Sequence, residues 1–221
     1  KFDITILEGY GATEASPVIS VNSKFSNKKG TVGRILPLID FALRPVNGIK
    51  EGKELLVKGP NIMKSYLGST EPAKLNSTYS GVVITENASY SEDNGWYETG
   101  DLVKIDKSGY LTILGRIKRF AKLGGEMVSL SEVETVAAKI WPSDHHAAIS
   151  VTINNNLETI ILFTTKRDPE RKKILNFVKQ NNLSNLVVPK MIEFIEKIPI
   201  FGSGKTDYQQ LVEEIRARHD D

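Results

Sequence analysis

The hydrophobic pattern of this chain changes character once, near Gly115, and that change limits the fold more than any other feature. Before it, apolar residues come in short alternating runs: FALRPV at 41–46, KELLVKG at 53–59, GVVIT at 81–85, DLVKID at 101–106 and GYLTILG at 109–115. Turn residues punctuate them at Asn47–Gly48, at KGPN (58–61) and at DNG (93–95). Strands so closely spaced predict a compact, distorted β-barrel or sheet rather than βαβ units. The opening DITILEGYG at 3–11 reads as one more strand entering a turn.

After Gly115 the period lengthens. Ser129-Leu130-Ser131-Glu132 has capping-box spacing and opens a helix with Leu130, Val133, Val136, Ala137 and Ile140 on one face. Trp141-Pro142 closes it. Strands are expected near His146–Ile153 and Glu158–Thr165, joined by an Asn-rich turn at 154–156. Asp168-Pro169 reads as an N-cap followed by proline at the first helical position, opening a helix to about Asn181. A strand at Met191–Ile195 and a helix from Asp207 complete an α+β unit. The expected organisation is therefore a strand-rich, barrel-like unit over 1–116 and an α+β unit over 117–221, joined by a hinge at 116–119.

Composition narrows the function. The 221 residues carry 29 basic and 27 acidic side chains, a net charge of +2, so no global basic field points to nucleic acid. Cysteine is absent, which excludes disulfides, a thiol nucleophile and cysteine-held metal. The three histidines, His145, His146 and His219, make a multi-histidine metal site a poor expectation. No apolar run approaches the roughly 18–20 residues of a spanning helix, so a soluble segment is expected. The chain opens on Lys1 and lacks a signal-peptide pattern, as an excised piece of a longer protein would.

Four segments carry chemistry. In Tyr10-Gly11-Ala12-Thr13-Glu14, an aromatic ring can stack on a base, glycine admits close backbone approach, Thr can bond a phosphate and Glu can hold Mg²⁺. The bland alternative is a glycine turn with solvated polar residues. In Trp96-Tyr97-Glu98-Thr99-Gly100-Asp101 the carboxylate suits a ribose diol, or simply caps a turn before DLVKID. In GRIKRFAKLGGEMV (115–128), Arg116, Lys118, Arg119 and Lys122 fall within seven positions without an acid. Arg116 offers a planar fork for phosphate or ribose, and Gly124-Gly125 lets backbone line a narrow channel. A solvated face is the alternative for the charges. In Pro199-Ile200-Phe201-Gly202-Ser203-Gly204-Lys205-Thr206, a lysine on a glycine-rich loop can reach a phosphate or a carboxylate. It is not a phosphate-binding P-loop, because the residue five before Gly204 is Pro199 rather than glycine.

The order of these motifs, YGATE, YETGD, GRIKRFAKLGGEMV and GSGKT, resembles the adenylate-forming superfamily of acyl-CoA synthetases, luciferases and peptide-synthetase adenylation domains. The resemblance spans essentially the whole chain. GTVGRILP, KGPNIMKSYL, GWYETGD and VPK followed by GSGK add a narrower resemblance. It is to the synthetase part of bacterial bifunctional acyl-carrier-protein synthetases that also acylate the lysophospholipid 2-acylglycerophosphoethanolamine.

The resemblance implies an acyl-CoA synthetase-like fold ending in a small mobile lid. It also implies ATP and Mg²⁺ as cofactors, with AMP released, and a fatty acid substrate. The acceptor would be the phosphopantetheine thiol of acyl carrier protein, and the parent would lie on the cytoplasmic face of a bacterial inner membrane. Residue by residue, Tyr10 and Gly11 would lie against adenine, Thr13 against the α-phosphate and Glu14 against Mg²⁺. Asp101 and Arg116 would hold the ribose. Lys118 would be the hinge, where many members carry Asp. Lys122, Gly124 and Gly125 would line the thiol tunnel, and Lys205 would bridge the acyl carboxylate and the α-phosphate. The family's upstream phosphate loop and most of the acyl pocket are not in these residues, so the segment alone is expected to be inactive. The residues leave two other readings open: a ligase using free CoA, and a non-catalytic nucleotide-binding or interaction module.

Overall fold

The computed structural model describes residues 4–63, 75–76, 96–153 and 157–219. The GVVIT run, the DNG turn, the Asn-rich turn at 154–156 and the part of KGPNIMKSYL beyond Met63 lie outside the described residues. The chain divides into two compact units, Lys1–Ile117 and Lys118–Asp221.

The first unit holds two antiparallel sheets. Strands β1 (Gly9–Gly11), β2 (Val18–Val21) and β3 (Arg34–Ile35) form one, in that order. Strands β4 (Asp40–Arg44), β5 (Lys53–Lys58), β6 (Leu75–Asn76), β7 (Trp96–Ile105) and β8 (Leu111–Arg116) form the other. Reciprocal backbone bonds join the sheets, Val32 N–H to the Leu111 carbonyl and Leu111 N–H to the Gly33 carbonyl, each 2.8 Å. Alternation sends Leu55 and Val57 into a core with Ile19, Ile39, Tyr97, Val103 and Leu111, while Leu56 meets Ala42 and Trp96 on the opposite face.

The expected barrel does not close among the described residues. Closure needs the last strand to return to the first. Here β4 ends the order on one side, while β6 and β8 share the far edge of β7, so the sheet stays open. The run DLVKID is only the second half of a ten-residue strand that already begins at Trp96.

In the second unit, β9 (Phe120–Leu123) and β10 (Glu126–Ser129) form a hairpin leading into α1 (Leu130–Ile140). Ser129 caps that helix, its Oγ accepting the Glu132 N–H at 3.3 Å, and Leu130, Val133, Val136 and Ala137 are buried as the spacing predicts. Strands β11 (His146–Ile153) and β12 (Leu157–Thr164) pair antiparallel, and β13 (Met191–Phe194) joins β12 in parallel. Helix α2 (Arg171–Gln180) lies between β12 and β13 in sequence, and α3 (Tyr208–His219) comes last. Ala148, Ile160 and Leu162 pack with α1 and α2, while Ala147, Ile149, Ile161 and Phe163 pack with Leu211 and Ile215 of α3. The sheet is thus covered on both faces, which is why its strands read as nearly continuous apolar runs.

One helix start differs from expectation. Asp168 has φ +51°, outside the extended range of an N-cap, and the cap of α2 is Glu170 at φ −92°. By contrast, Asp207 caps α3, its Oδ1 accepting the Gln210 N–H at 3.1 Å.

Candidate active site

The first unit brings three of the four motifs to one carboxylate. Opposite Leu55 of β5, strand β7 carries three residues, Thr99, Gly100 and Asp101, between the pairs Leu56–Glu98 and Glu54–Leu102. That bulge interrupts the ladder and would strand the Leu55 carbonyl. The Thr99 hydroxyl takes its place, donating to Leu55 O at 2.8 Å and accepting the Asp101 N–H at 3.1 Å. Gly100 sits at φ +69°, and a Cβ added there would meet nothing within 4 Å, so the requirement for glycine is conformational rather than spatial. Thr-Gly-Asp is a bulge that re-aims a carboxylate, not a cap ahead of a strand.

Asp101 is 3% exposed. Arg116 lies directly across from it on β8, and its Nε reaches Asp101 Oδ1 at 2.9 Å. The Tyr10 hydroxyl, arriving from β1, donates to Oδ2 at 2.5 Å. Burial pushes the Tyr10 phenol far above its ordinary pKa, and the hydrogen bond to Asp101 and that carboxylate's charge push the same way. The Arg116 side chain is 67% exposed while the Asp101 side chain is 5% exposed. The guanidinium thus approaches the buried carboxylate from the solvent side, and each carboxylate oxygen has a further acceptor direction.

Gly11 answers to packing. A Cβ there would lie 1.8 Å from the Pro17 carbonyl oxygen, so the close backbone approach is internal to the turn. Thr13 and Glu14 follow in a single 3₁₀ turn, Thr13–Ala15. Backbone bonds anchor it: Met63 N–H donates to the Glu14 carbonyl at 2.9 Å, and the Asn61 amide donates to the Ala15 carbonyl at 2.6 Å. No group of three metal-ligating side chains exists among the described residues. One carboxylate, such as that of Glu14, fits Mg²⁺ held mainly by nucleotide phosphates and water.

The basic run divides by role. Arg119 belongs to the fold: NH1 donates to Ala148 O at 2.8 Å, NH2 to Glu134 Oε1 at 2.6 Å, and the guanidinium lies 3.7 Å from the Tyr208 ring centroid. Lys118 and Lys122 are exposed. Gly124 and Gly125, at φ +57° and +91°, form the two-residue turn of the β9–β10 hairpin, where both central residues need positive φ.

Lys205 stands on a second tight hairpin. Ile200 bridges Thr206, Phe201 N–H donates to the Lys205 carbonyl at 2.8 Å, and Gly204 N–H returns to Phe201 O at 2.9 Å. Its side chain is exposed and makes no ion pair among the described residues. A cavity of about 390 Å³, lined by His145, His146, Lys197, Ile200 and Gly204, flanks this hairpin, so the loop is held by its own backbone rather than by packing on all sides.

Sequence reasoning missed Thr99 as the strap of the bulge, Asn61 as the clamp of the 3₁₀ turn, and the Arg44 network. Arg44 holds Glu54 through Nε and NH2 at 3.0 and 2.7 Å and Glu98 through NH1 at 2.7 Å, flanking the bulge. A glycine inside an apolar strand pattern, at Gly100, was the one signal available for the bulge.

No family model matches the chain. A long-chain-fatty-acid–CoA ligase of Salmonella typhimurium is 30% identical over 222 residues, covering 97% of this chain and 37% of that ligase. The corresponding ligase of Haemophilus influenzae is 32% identical over 209 residues, covering 90% of this chain and 34% of its own length. Among solved structures, ATP-bound MatB from Rhodopseudomonas palustris superposes with a TM-score of 0.72 at 26% identity, covering 97% of this chain and 41% of that one. The O-succinylbenzoate coenzyme A synthetase of Bacillus subtilis, in complex with AMP, gives 0.65 at 26% identity, covering 93% and 40%. The chain thus spans little more than a third of the curated relatives it matches. Homologues and structural neighbours together support the adenylate-forming, acyl-CoA synthetase-like superfamily for this chain.

Proposed function

We propose that this chain is the C-terminal part of an ATP-dependent fatty acid ligase that forms acyl-AMP and then passes the acyl group to a thiol. The observation that carries the reading is the convergence of Tyr10 and Arg116 on the buried Asp101 carboxylate, which is aimed by a bulge. In this reading Asp101 accepts the ribose hydroxyls with Arg116 assisting beside it, and Tyr10 lies against the adenine while its hydroxyl holds the carboxylate in place. Thr13 contacts the α-phosphate, and Glu14 would supply an oxygen to a nucleotide-borne Mg²⁺, which would neutralise phosphate charge.

In the first step a carboxylate oxygen attacks the α-phosphorus and the bond to pyrophosphate breaks. Two anions must meet, and the Lys205 ammonium offsets their repulsion and the charge that develops between them. In the second step a thiol attacks the same carbonyl and AMP leaves, so the lysine must withdraw. A unit beginning at Lys118 that turns as a lid provides that exchange, and Lys122, Gly124 and Gly125 then face the incoming thiol.

The names of the relatives, fatty-acid–CoA ligases, favour the CoA thiol as acceptor. The second reading, carried by the narrower motif resemblance, is the phosphopantetheine of acyl carrier protein. In that reading the parent sits at a bacterial inner membrane and the acyl group continues to a lysophospholipid. Supplying the full-length enzyme with each thiol in turn separates the two.

The test of the core reading is Lys205→Ala in the full-length enzyme. Acyl-AMP formation should collapse while thiolation of supplied acyl-AMP persists; near-normal pyrophosphate exchange by the variant removes Lys205 from the chemistry. The 221-residue segment alone should support no ATP–pyrophosphate exchange.

A further inference from the structure

We propose that the loop after β2 docks this unit on the surface of an anionic phospholipid bilayer, with Phe25 as the inserted side chain. Ser23 and Ser26 close a two-residue turn through reciprocal backbone bonds of 3.1 Å, and its tip is Lys24-Phe25. Phe25 is 97% exposed. Turn chemistry favours glycine, proline, asparagine, aspartate and serine, and gives no reason for a phenylalanine at a tip.

The loop that presents it is firmly built. Asn22, 2% exposed, donates through Nδ2 to the Thr31 carbonyl at 2.7 Å and accepts the Lys28 N–H at 3.0 Å. Thr31 Oγ1 donates to Lys28 O at 2.8 Å. Tyr110 ties the loop to the 106–109 turn: its hydroxyl lies 2.6 Å from Ser26 Oγ, and its ring is flanked by the Arg34 guanidinium at 4.7 Å and the Lys28 ammonium at 5.5 Å. A single exposed apolar residue needs no explanation by itself. Here the ring stands at the tip of a braced turn on a loop that also carries several exposed cations.

Charge names the occupant. Between Glu14 and Asp40 the sequence carries Lys24, Lys28, Lys29 and Arg34 and no acid. All four are exposed, and Lys107 adds a fifth cation on the tied turn. Among the described residues two acids lie close by: Asp106, bonded to Lys28 at 2.5 Å, and the exposed Glu8, whose carbonyl accepts the Asn22 N–H at 2.9 Å at the base of the loop, so cations still outnumber acids. An aromatic tip on a loop rich in exposed cations is the chemistry of an interfacial anchor: the ring enters the headgroup–acyl boundary and the cations meet lipid phosphates. The inference is independent of the acyl-activating reading, although a fatty acid substrate also partitions into bilayers.

The test is co-sedimentation of the 221-residue chain with phosphatidylcholine vesicles carrying about one-quarter phosphatidylglycerol. Binding is expected to these and not to pure phosphatidylcholine, and to fall as NaCl rises from about 0.1 to about 0.5 M. Phe25→Ser should weaken it about ten-fold, and the double variant Lys24→Glu/Lys29→Glu by at least as much. These positions are exposed, so both variants should fold. Undiminished binding by both variants, or no binding by the unaltered chain, overturns the proposal. Phe25→Trp gives a second readout. Its emission, taken as the difference from the unaltered chain with Trp96 and Trp141, should shift to the blue only when anionic vesicles are added. Blue emission without vesicles means the side chain is covered by a second copy, which also overturns it.

Discussion

Asp101 and Lys205 are the two charged residues on which the proposed chemistry turns, and the chain treats them in opposite ways. Asp101 is buried, held by two side chains through its oxygens and by Thr99 through its backbone. Lys205 has a backbone fixed by a bridged hairpin and a side chain left in solvent. The difference follows from what each must do. A group that recognises a neutral diol gains from being held in place beforehand, because little ordering is lost on binding. A cation that serves one step and must leave before the next gains from a precise base and a free arm. The contrast teaches that the fixed residue should tolerate no change in its supports, and the mobile one no change in itself.

The sharpest way to break the comparison is at Lys205. Lys205→Ala in the full-length enzyme is expected to slow acyl-AMP formation roughly a hundred- to a thousand-fold, the scale of removing one preorganised charge from a transition state. Thermal stability should not move, since the side chain is exposed and makes no ion pair among the described residues. A fall in melting temperature would mean the arm is structural after all.

Asp101→Asn should act mainly on binding. Losing a charged acceptor costs about 1.5–3 kcal/mol, so KM for ATP should rise about ten- to a hundred-fold with a smaller change in kcat. Thr99→Val tests the support. It leaves the Leu55 carbonyl and the Asp101 N–H buried without partners, costing about 2 kcal/mol of stability in the first unit. If Thr99 acts through Asp101, KM for ATP should rise as well, and Thr99→Ser, which keeps the hydroxyl, should restore it. Loss of stability with unchanged KM would make the bulge a matter of folding only.

Tyr10 offers a pH test of the same wiring. Its folded-state pKa is raised above the unfolded value, chiefly by burial. The folded state therefore holds the phenolic proton more tightly, and the contribution to stability is whole below about pH 10 and is lost as pH climbs above it. Tyr10→Phe removes the titrating proton, so the alkaline decline in stability should become shallower. An unchanged alkaline profile would show that the phenol is not enclosed against Asp101.

Much of this was legible in the sequence where local rules and packing agree. Ser129 reads as a cap and is one, and the apolar stripe of α1 faces the core as its spacing predicts. Motif order pointed to Tyr10, Asp101 and Arg116 before any geometry. What could not be read was whatever depends on partners distant in sequence. Thr99 matters because Leu55 lies opposite it, forty-four positions away. Arg119 looked like one cation in a basic run, yet it is spent on Glu134, Ala148 and Tyr208 of its own unit. Among the described residues the barrel does not close, for the same reason: strand spacing speaks to the number of strands, while closure is decided by which edges pair. The Asp168-Pro169 pair misled locally, since a left-handed φ at Asp168 delays the helix to Arg171.

The smallest expected effect separates the two readings of the Gly124-Gly125 turn. At φ +91°, Gly125→Ala should cost about 1 kcal/mol, because an L-residue resists that conformation. No atom lies within 4 Å of the added methyl position, so nothing in the hairpin itself is displaced. If the glycine serves only the turn, stability falls slightly and both half-reactions of the full-length enzyme run as before. If a thiol passes this backbone in the second step, the methyl group obstructs it there alone. Thiol transfer from acyl-AMP should then slow while acyl-AMP formation is spared, the mirror image of the Lys205→Ala result. Equal loss in both steps would fit neither the turn nor the tunnel, and would detach Gly125 from the moving half of the comparison.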